Sequence, residues 1–179
     1  MPNWCSNELK LFHESLRQVQ RAADALSEGR FCSEFLWIPT DLFPQPDGEG
    51  MDPYRALDAR KDENLKRYGY ASWYDACIEK WGTKWDVKAE YVNQEGHYLT
   101  ATFESAWSPP VGVYYELQRQ GFTVRAYYYE PGVGFAGKFG DDGDETFGDV
   151  GTFEDAKKLP EDLDKAMNIS EQLKSWEEN

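Results

Sequence analysis

The sequence predicts an α+β fold in which an antiparallel sheet carries helices on one face. Segments of alternating apolar and polar residues, typical of half-buried strands, are interleaved with segments of helical periodicity. Their order, β-α-β-β-α-β, is the split βαβ pattern of ferredoxin-like domains. The 179 residues include 40% hydrophobic and 16% aromatic side chains, which is enough for one core.

The first two predicted elements are a strand and a helix. Residues 8–12 alternate as a half-buried strand does. Ser15 and Gln18 have the spacing of a capping box, which predicts that a helix begins there. Gly29 is suited to ending this helix because glycine readily adopts the left-handed conformation of a C-terminal cap.

A long insertion is predicted between the first helix and the second strand, at about residues 30–83. Residues 30–69 contain four prolines, which interrupt any long element. Within the insertion we expect a polar helix over residues 58–68 and a second helix over residues 73–81, ended by Gly82. Such a connection is far longer than usual and is a common place for a functional surface.

The clearest hairpin signal follows the insertion. Residues 85–91 alternate cleanly, and residues 99–103 are predicted to be the returning strand. One set of side chains on the first arm is expected to face the core: Trp85, Val87, Ala89 and Tyr91.

The remaining elements complete the predicted domain. Ser108 and Pro109 are suited to an N-cap and a first helical position. We expect the helix that follows to lead into a strand over residues 122–129 and a further hairpin strand over residues 133–139. An acidic loop at residues 141–145 and an amphipathic helix over residues 160–176 come last.

Two parts of the chain are distinguished on this basis. Residues 1–140 are predicted to form the ferredoxin-like domain with its insertion. Residues 141–179 are predicted to be an acidic loop and a C-terminal helix packed on the same domain, with the extra hairpin strand before them.

The charge is strongly acidic, with 33 acidic and 19 basic residues and a net charge of −14. A field of this sign repels phosphate backbones and acidic membranes. The surplus is concentrated after residue 140, either as an ordinary solvated surface or as a docking site for a basic partner. The candidate acidic surface consists of Asp141, Asp142, Asp144, Glu145 and Asp149.

The cysteines and hydropathy predict a cytoplasmic protein. Cys5, Cys32 and Cys77 are odd in number and form no C-x-x-C pair, which argues against a disulfide framework. No apolar stretch is long enough to span a bilayer, and the first residues lack the pattern of a secretory signal. We expect no metal and no cofactor, since the acidic loop lacks EF-hand spacing and no phosphate-binding glycine loop is present.

Three tryptophan motifs are the most distinctive feature. They are Met-Pro-Asn-Trp-Cys at residues 1–5, Trp-Gly-Thr-Lys-Trp-Asp at 81–86 and Ala-Trp-Ser-Pro-Pro at 106–110. In the predicted topology they meet at one edge of the sheet, either around an aromatic pocket or as a staple for the insertion. The candidate ligand- or partner-binding residues are Asn3, Trp4, Trp85, Asp86, Trp107 and Ser108.

These motifs, with the Tyr- and Gly-containing stretch at residues 127–137, resemble the YubB-type ferredoxin-like family of phage and plasmid proteins. The resemblance covers roughly residues 1–140. It implies a ferredoxin-like fold and an origin in a mobile element of a bacterial host. It supplies no catalytic residues.

The sequence therefore favours a non-enzymatic binding protein that docks on the basic surface of a host protein. A nucleic-acid charge mimic or anti-defence inhibitor is one form of this hypothesis. The alternative is a binder of a nucleotide-like molecule in the tryptophan pocket. Two weaker hypotheses are an enzyme using carboxylates near Asp86 and Glu104, and RNA binding on a sheet face that carries Arg125, Tyr127 and Tyr129.

Overall fold

The computed structural model describes residues 3–45 and 52–178 and contains a six-stranded antiparallel sheet with the order β2-β3-β1-β4-β5-β6. The predicted α+β class and antiparallel sheet are confirmed. The strands are β1 (Trp4–Phe12), β2 (Ala89–Glu95), β3 (Tyr98–Ala106), β4 (Thr123–Glu130), β5 (Phe135–Gly140) and β6 (Gly143–Phe147). The helices are α1 (Leu16–Glu28), α2 (Phe31–Phe35), α3 (Pro53–Ala59), α4 (Lys61–Tyr68), α5 (Trp73–Trp81), α6 (Val111–Arg119), α7 (Phe153–Ala156), α8 (Glu161–Met167) and α9 (Ile169–Glu177).

The main core lies between one face of the sheet and the helices α1, α2, α5 and α6. Alternate residues of β1, including Leu9 and Leu11, are buried in this core. The apolar face of α1, which includes Val19 and Leu26, packs into the same core. The helix ends where predicted, because Gly29 takes the left-handed conformation with φ +77°.

A second, smaller cluster covers part of the opposite face. Leu163 of α8 and Ile169 and Leu173 of α9 pack with Tyr129 of β4 and Ala136 of β5. The two helices of the predicted β-α-β-β-α-β unit share the core face, and the C-terminal helices cover part of the opposite one. On this face, Tyr129 and Ala136 form an apolar surface on the sheet, and the C-terminal helices bury it.

The predicted hairpin is present, but its first arm is shorter and shifted. Pairing of β2 begins at Ala89 rather than at residue 85, and a bulge interrupts the register between Ala89 and Tyr91. A bulge reverses the alternation beyond it, since one extra residue is inserted in the strand. Tyr91 is consequently exposed, and Val92 packs against the core in its place.

Other differences concern element boundaries. Residues 58–68 belong to two helices that meet at Arg60, and the C-terminal segment is two helices separated by Asn168 at φ +53°. Residues 143–147 form the edge strand β6 where a loop was expected. Part of the predicted insertion, residues 46–51, lies outside the described residues, as do the first two residues of the first tryptophan motif.

None of the helices within the described ranges is long and apolar enough to cross a bilayer.

Candidate functional site

The first and third tryptophan motifs lie side by side. Trp4 at the start of β1 pairs with Ala106 at the end of β3. Just beyond this pair, the backbone N–H of Trp107 donates to the carbonyl oxygen of Asn3 at 2.9 Å. The antiparallel pairing of β1 and β3 therefore brings the two motifs to the same end of the sheet.

The second motif is fastened to the third by three hydrogen bonds. The carbonyl oxygen of Ala106 accepts from the hydroxyl of Thr83 at 3.0 Å and from the backbone N–H of Lys84 at 3.4 Å. The hydroxyl of Ser108 donates to the carbonyl oxygen of Gly82. Ser108 is thus used within the fold, and α6 begins three residues later at Val111 rather than at Pro109.

One half of the second motif is buried. Trp81 is 2% exposed, and its indole N–H donates to the carbonyl oxygen of Leu36 at 2.6 Å. Gly82 ends α5 in the left-handed conformation, as predicted, with φ +88°. A Cβ at Gly82 would lie 2.9 Å from the carbonyl oxygen of Pro109, so the two loops touch through their backbones.

Asp86 also serves the fold. Its carboxylate accepts from the backbone N–H groups of Cys32 at 2.6 Å, Ser33 at 3.0 Å and Val87 at 2.9 Å. The first two are unpaired amides at the start of α2, which a carboxylate satisfies both by hydrogen bonding and by its charge. Asp86 therefore anchors α2 to the loop before β2.

A buried carboxylate fixes the neighbouring turn between β4 and β5. Glu130 is 1% exposed and accepts from the backbone N–H groups of Gly132 at 2.8 Å and Val133 at 2.6 Å. A Cβ at Gly132 would lie 2.6 Å from the amide nitrogen of Asn3, so this turn packs directly against the first motif. Hydrogen bonds and backbone packing therefore fasten the chain on both sides of Trp4.

The other half of the motifs is at the surface. Trp4, Trp85 and Trp107 are 48%, 40% and 42% exposed, and the rings of Trp4 and Trp85 lie 6.0 Å apart at 44°. The ammonium group of Lys84 lies 4.7 Å from the ring centre of Trp85 and 5.6 Å from that of Tyr74. We call Trp4, Tyr74, Lys84 and Trp85, which these contacts connect, together with Trp107 on the adjoining loop, the tryptophan patch.

Trp107 has an unfavourable backbone conformation, with φ +74°. A bulky side chain at positive φ is uncommon, and glycine or asparagine would occupy the position more easily. Trp107 is nonetheless held there by its bond to Asn3, with much of its ring in water. Residues held in such conformations cluster at binding and active sites, which makes Trp107 a candidate for a functional surface.

The patch is an exposed surface rather than an enclosed pocket. A groove of about 590 Å³ lies between the β5–β6 hairpin and α8, and is lined by Tyr127, Lys138 and Asp162 among others. A smaller groove of about 240 Å³ lies between β1, β3 and the junction of α8 with α9. Neither groove is lined by a residue of the tryptophan patch.

The five acidic candidates are dispersed around β6. Asp141 and Asp142 are in the turn between β5 and β6, at the opposite end of the sheet from the patch. Asp144 accepts from the hydroxyl of Tyr128 at 2.9 Å, whereas Glu145 approaches Lys138 on the other face at 3.6 Å. Asp149 follows β6 at the end of the sheet where the tryptophan patch lies. The backbone N–H of its neighbour, Val150, donates to the carbonyl oxygen of Gly134.

Part of the acidic surplus is neutralised locally. Lysines one turn away pair with carboxylates in α7 and α8, and hydrogen bonds from Lys158 and Thr152 lower the pKa of Asp155 to about 2. The pairs are Lys157 with Glu154, Lys158 with Asp155, and Lys165 with Glu161.

The geometry gives little support to nucleophilic or carboxylate catalysis. Cys5, Cys32 and Cys77 are buried, and burial raises the pKa of each thiol, that of Cys77 to about 12. Glu104 accepts from Ser6 on the face opposite the main core, whereas Asp86 is bonded to α2 on the core side. Within residues 3–45 and 52–178, no group of three or more His, Cys, Asp or Glu could hold a metal ion.

Two residues of the patch were missed by sequence reasoning. Tyr74 is on the side of α5 that faces away from the core, and a single lysine between two tryptophans did not stand out. One signal was available, since Tyr74 and Ile78 are four residues apart and form an apolar pair on an otherwise polar helix face.

Comparison with known proteins shows no family model and no curated protein sequence that matches the chain. Among solved structures, the chain is similar to the crystal structure of protein api92 from Yersinia pseudotuberculosis, of family model DUF1281. The TM-score is 0.39 at 10% sequence identity, over 83% of this chain and 98% of that one.

Proposed function

We propose that this protein is a non-enzymatic binding protein whose tryptophan patch anchors a host protein, while its acidic charge attracts the basic surface of that partner. The observation that carries the proposal is the patch itself, in which three half-exposed tryptophans lie on hydrogen-bonded backbone segments, one of them at positive φ.

The composition of the patch is that of an interface centre. Tryptophan and tyrosine dominate the binding energy of protein interfaces because each brings a large rigid surface at low entropic cost. Here the rings are carried by backbone segments that Ala106, Asp86 and Glu130 hold by hydrogen bonds. A patch that is ordered before binding loses less entropy when a partner docks.

The net charge of −14 would act at longer range. Thirteen of the 33 acidic residues, but only four of the 19 basic ones, are in residues 141–179. Such a field accelerates encounter with a basic partner and weakens as salt is added. Asp149 lies at the patch end of the sheet and is the acidic candidate placed to contact the same partner. A surface that normally holds nucleic acid fits this description, as an anti-defence inhibitor would require.

The resemblance of the tryptophan motifs to the YubB-type family is the basis for proposing a phage or plasmid origin and action in the host cytoplasm. We propose that β1 to β4 with α1 and α6 form the ferredoxin-like unit of that family. The order β2-β3-β1-β4, with both helices on the core side, supports this assignment. The strands β5 and β6 then extend the unit at one edge.

A nucleotide-like ligand is the second candidate, favoured by the cation that lies beside exposed indole rings. Titration with a nucleotide panel while tryptophan fluorescence is recorded would test it. Quenching that is lost in Trp85→Phe would support this candidate, and an unchanged spectrum with every nucleotide would reject it.

The docking proposal is tested by quantitative capture from bacterial lysate with matched tryptophan variants. Trp4→Ala/Trp85→Ala removes the paired rings of the patch, whereas Trp37→Ala/Trp176→Ala removes two exposed rings outside it. We expect wild type and the control variant to retain the same proteins, the patch variant to lose them, and high salt to weaken capture. Equal retention by the two variants would refute the proposal.

A further inference from the structure

Lys84 is a cation within the tryptophan patch, in a chain whose net charge is −14. Its ammonium group is held over the rings of Trp85 and Tyr74, at 4.7 and 5.6 Å. Within the part of the chain that the structure describes, it forms no ion pair with a carboxylate. Two aromatic faces position this charge but do not neutralise it.

Lys80 provides an internal comparison. It lies over the ring of Tyr70 at 5.9 Å, in a similar cation–π contact near the end of α5. The hydroxyl of Tyr70 donates to the carboxylate of Glu79 at 3.0 Å, so an acidic group accompanies this contact. The carboxylate nearest to Lys84 in the sequence is that of Asp86, and its oxygens are turned to the amides of α2.

A partner that covers the patch would remove water from Lys84. An ammonium group that is buried without an acceptor is costly, and a charged hydrogen bond that it donates to the partner offsets this cost. An anion on the partner would accept the strongest such bond, even though the acidic chain attracts a surface that is basic around it.

We infer that the partner places a carboxylate against Lys84, next to apolar side chains that cover the tryptophan rings. This inference rests on the proposed function of the patch and adds the chemistry that the patch recognises. The complement of an acidic surface with one lysine in its aromatic patch is a basic surface with one acid among apolar side chains. Such a pattern fixes the register of docking, because any shifted arrangement juxtaposes like charges.

The test is a selection of random peptides displayed on phage against the intact wild-type protein. We expect selected peptides to combine an aromatic or aliphatic anchor with a nearby Asp, Glu or free C-terminal carboxylate. Synthetic peptides with Asp→Asn, Glu→Gln or an amidated C-terminus then identify the source of the carboxylate. Removal of the carboxylate should raise the dissociation constant at least about tenfold. This factor lies within the range of coupling energies measured for desolvated charge pairs.

Variants of Lys84 complete a double-mutant cycle between this lysine and the carboxylate of the peptide. Lys84→Met should weaken the acidic peptides by a similar factor and leave the neutralised peptides unaffected, since both changes remove the same interaction. Lys84→Arg should retain most of the affinity, and Lys80→Met, the matched control, should behave as wild type.

The outcomes separate this inference from the proposed function. Peptides that require Trp4 and Trp85 but lack an acid, or that bind Lys84→Met as tightly as wild type, would overturn the carboxylate inference and leave the docking proposal in place. Failure to select any peptide, or selected peptides that bind Trp4→Ala/Trp85→Ala equally well, would count against the docking proposal itself.

Discussion

Trp81 and Trp85 are four residues apart in one motif, yet they belong to different parts of the molecule. Trp81 is buried and donates to the backbone of Leu36, which joins α5 to the segment after α2. Trp85 is 40% exposed and lies between Lys84 and Trp4. The comparison shows that one short motif can contain both a core tryptophan and a surface tryptophan. Their different contacts, rather than their sequence context, distinguish the two roles.

A frame is formed by the residues of the second motif that bond within the fold, namely Trp81, Gly82, Thr83 and Asp86, and the exposed residues form the patch. The first prediction tests the frame, where the largest effect is expected. Trp81→Ala removes a fully buried ring and leaves the Leu36 carbonyl without its donor, so we expect a loss of about 3–5 kcal/mol in the free energy of unfolding. Urea denaturation measures it. Trp85→Ala, the comparison variant, should cost less than half as much, and equal losses would show that both rings are structural.

The second prediction concerns the contact between the second and third motifs. Gly82 and Gly69 both end helices at positive φ, but a Cβ at Gly69 would meet open space. Alanine at either position costs about 1–2 kcal/mol for the left-handed conformation. Gly82→Ala should cost about 1–3 kcal/mol more than Gly69→Ala, because its methyl group presses on Pro109. Equal thermal and urea midpoints for the two variants would contradict the close packing.

The third prediction isolates the cap provided by Asp86. Asp86→Ala leaves the amides of Cys32 and Ser33 without their acceptor and should cost about 2 kcal/mol. Asp86→Asn should cost less, since its amide oxygen still accepts a hydrogen bond. Both variants should retain partner binding once they are folded. Denaturation curves and the capture assay together check this, and loss of binding by folded Asp86→Asn would place the carboxylate in the interface.

The fourth prediction concerns the buried thiols and has no effect at neutral pH, where they are protonated in both the folded and the unfolded state. Burial, and next the charge of Asp86, raise the pKa of Cys77 from 9.0 to about 12 in the folded protein. This thiol therefore contributes stability that is fully present below pH 9 and is lost as the pH rises towards 12. The free energy of unfolding, measured as a function of pH, should fall less steeply over this interval in Cys77→Ala.

Thiol reactivity gives a second test of the same burial. At neutral pH, iodoacetamide should leave all three cysteines of the native protein unmodified and label them in denaturant. Rapid labelling of Cys32 or Cys77 in the native state would contradict the packing of the core beneath α2 and α5.

Local patterns predicted most of the elements in the described residues. The alternation of β1 and the glycine signals at Gly29 and Gly82 each rest on a backbone preference that tertiary contacts leave unchanged. The failures have specific physical causes. A bulge after Ala89 moved Tyr91 to the surface, and Ser108 bonded to Gly82 instead of capping α6. Neither event leaves a trace in the periodicity of its own segment.

The structure brings the tryptophan motifs together as the predicted topology required, whereas their role as a binding site stays a prediction. Antiparallel pairing was sufficient to bring Asn3, Trp4 and Trp107 together, because strand order determines which ends meet. Whether each ring would be buried or exposed depended on the path of the loop at residues 82–88, which hydrogen bonds to Ala106 determine. The acidic candidates failed to form one surface because alternation along β6 sends Asp144 and Glu145 to opposite faces.

The most direct test of the docking surface is the affinity of Trp107→Asn for a partner captured by the wild-type protein. Asparagine tolerates the positive φ of this position, so the variant removes the ring without imposing new backbone strain. With the fold verified by circular dichroism, isothermal titration should show binding weakened by at least about tenfold, as for loss of an interface anchor. An unchanged dissociation constant would contradict the assignment of the tryptophan patch as the docking surface.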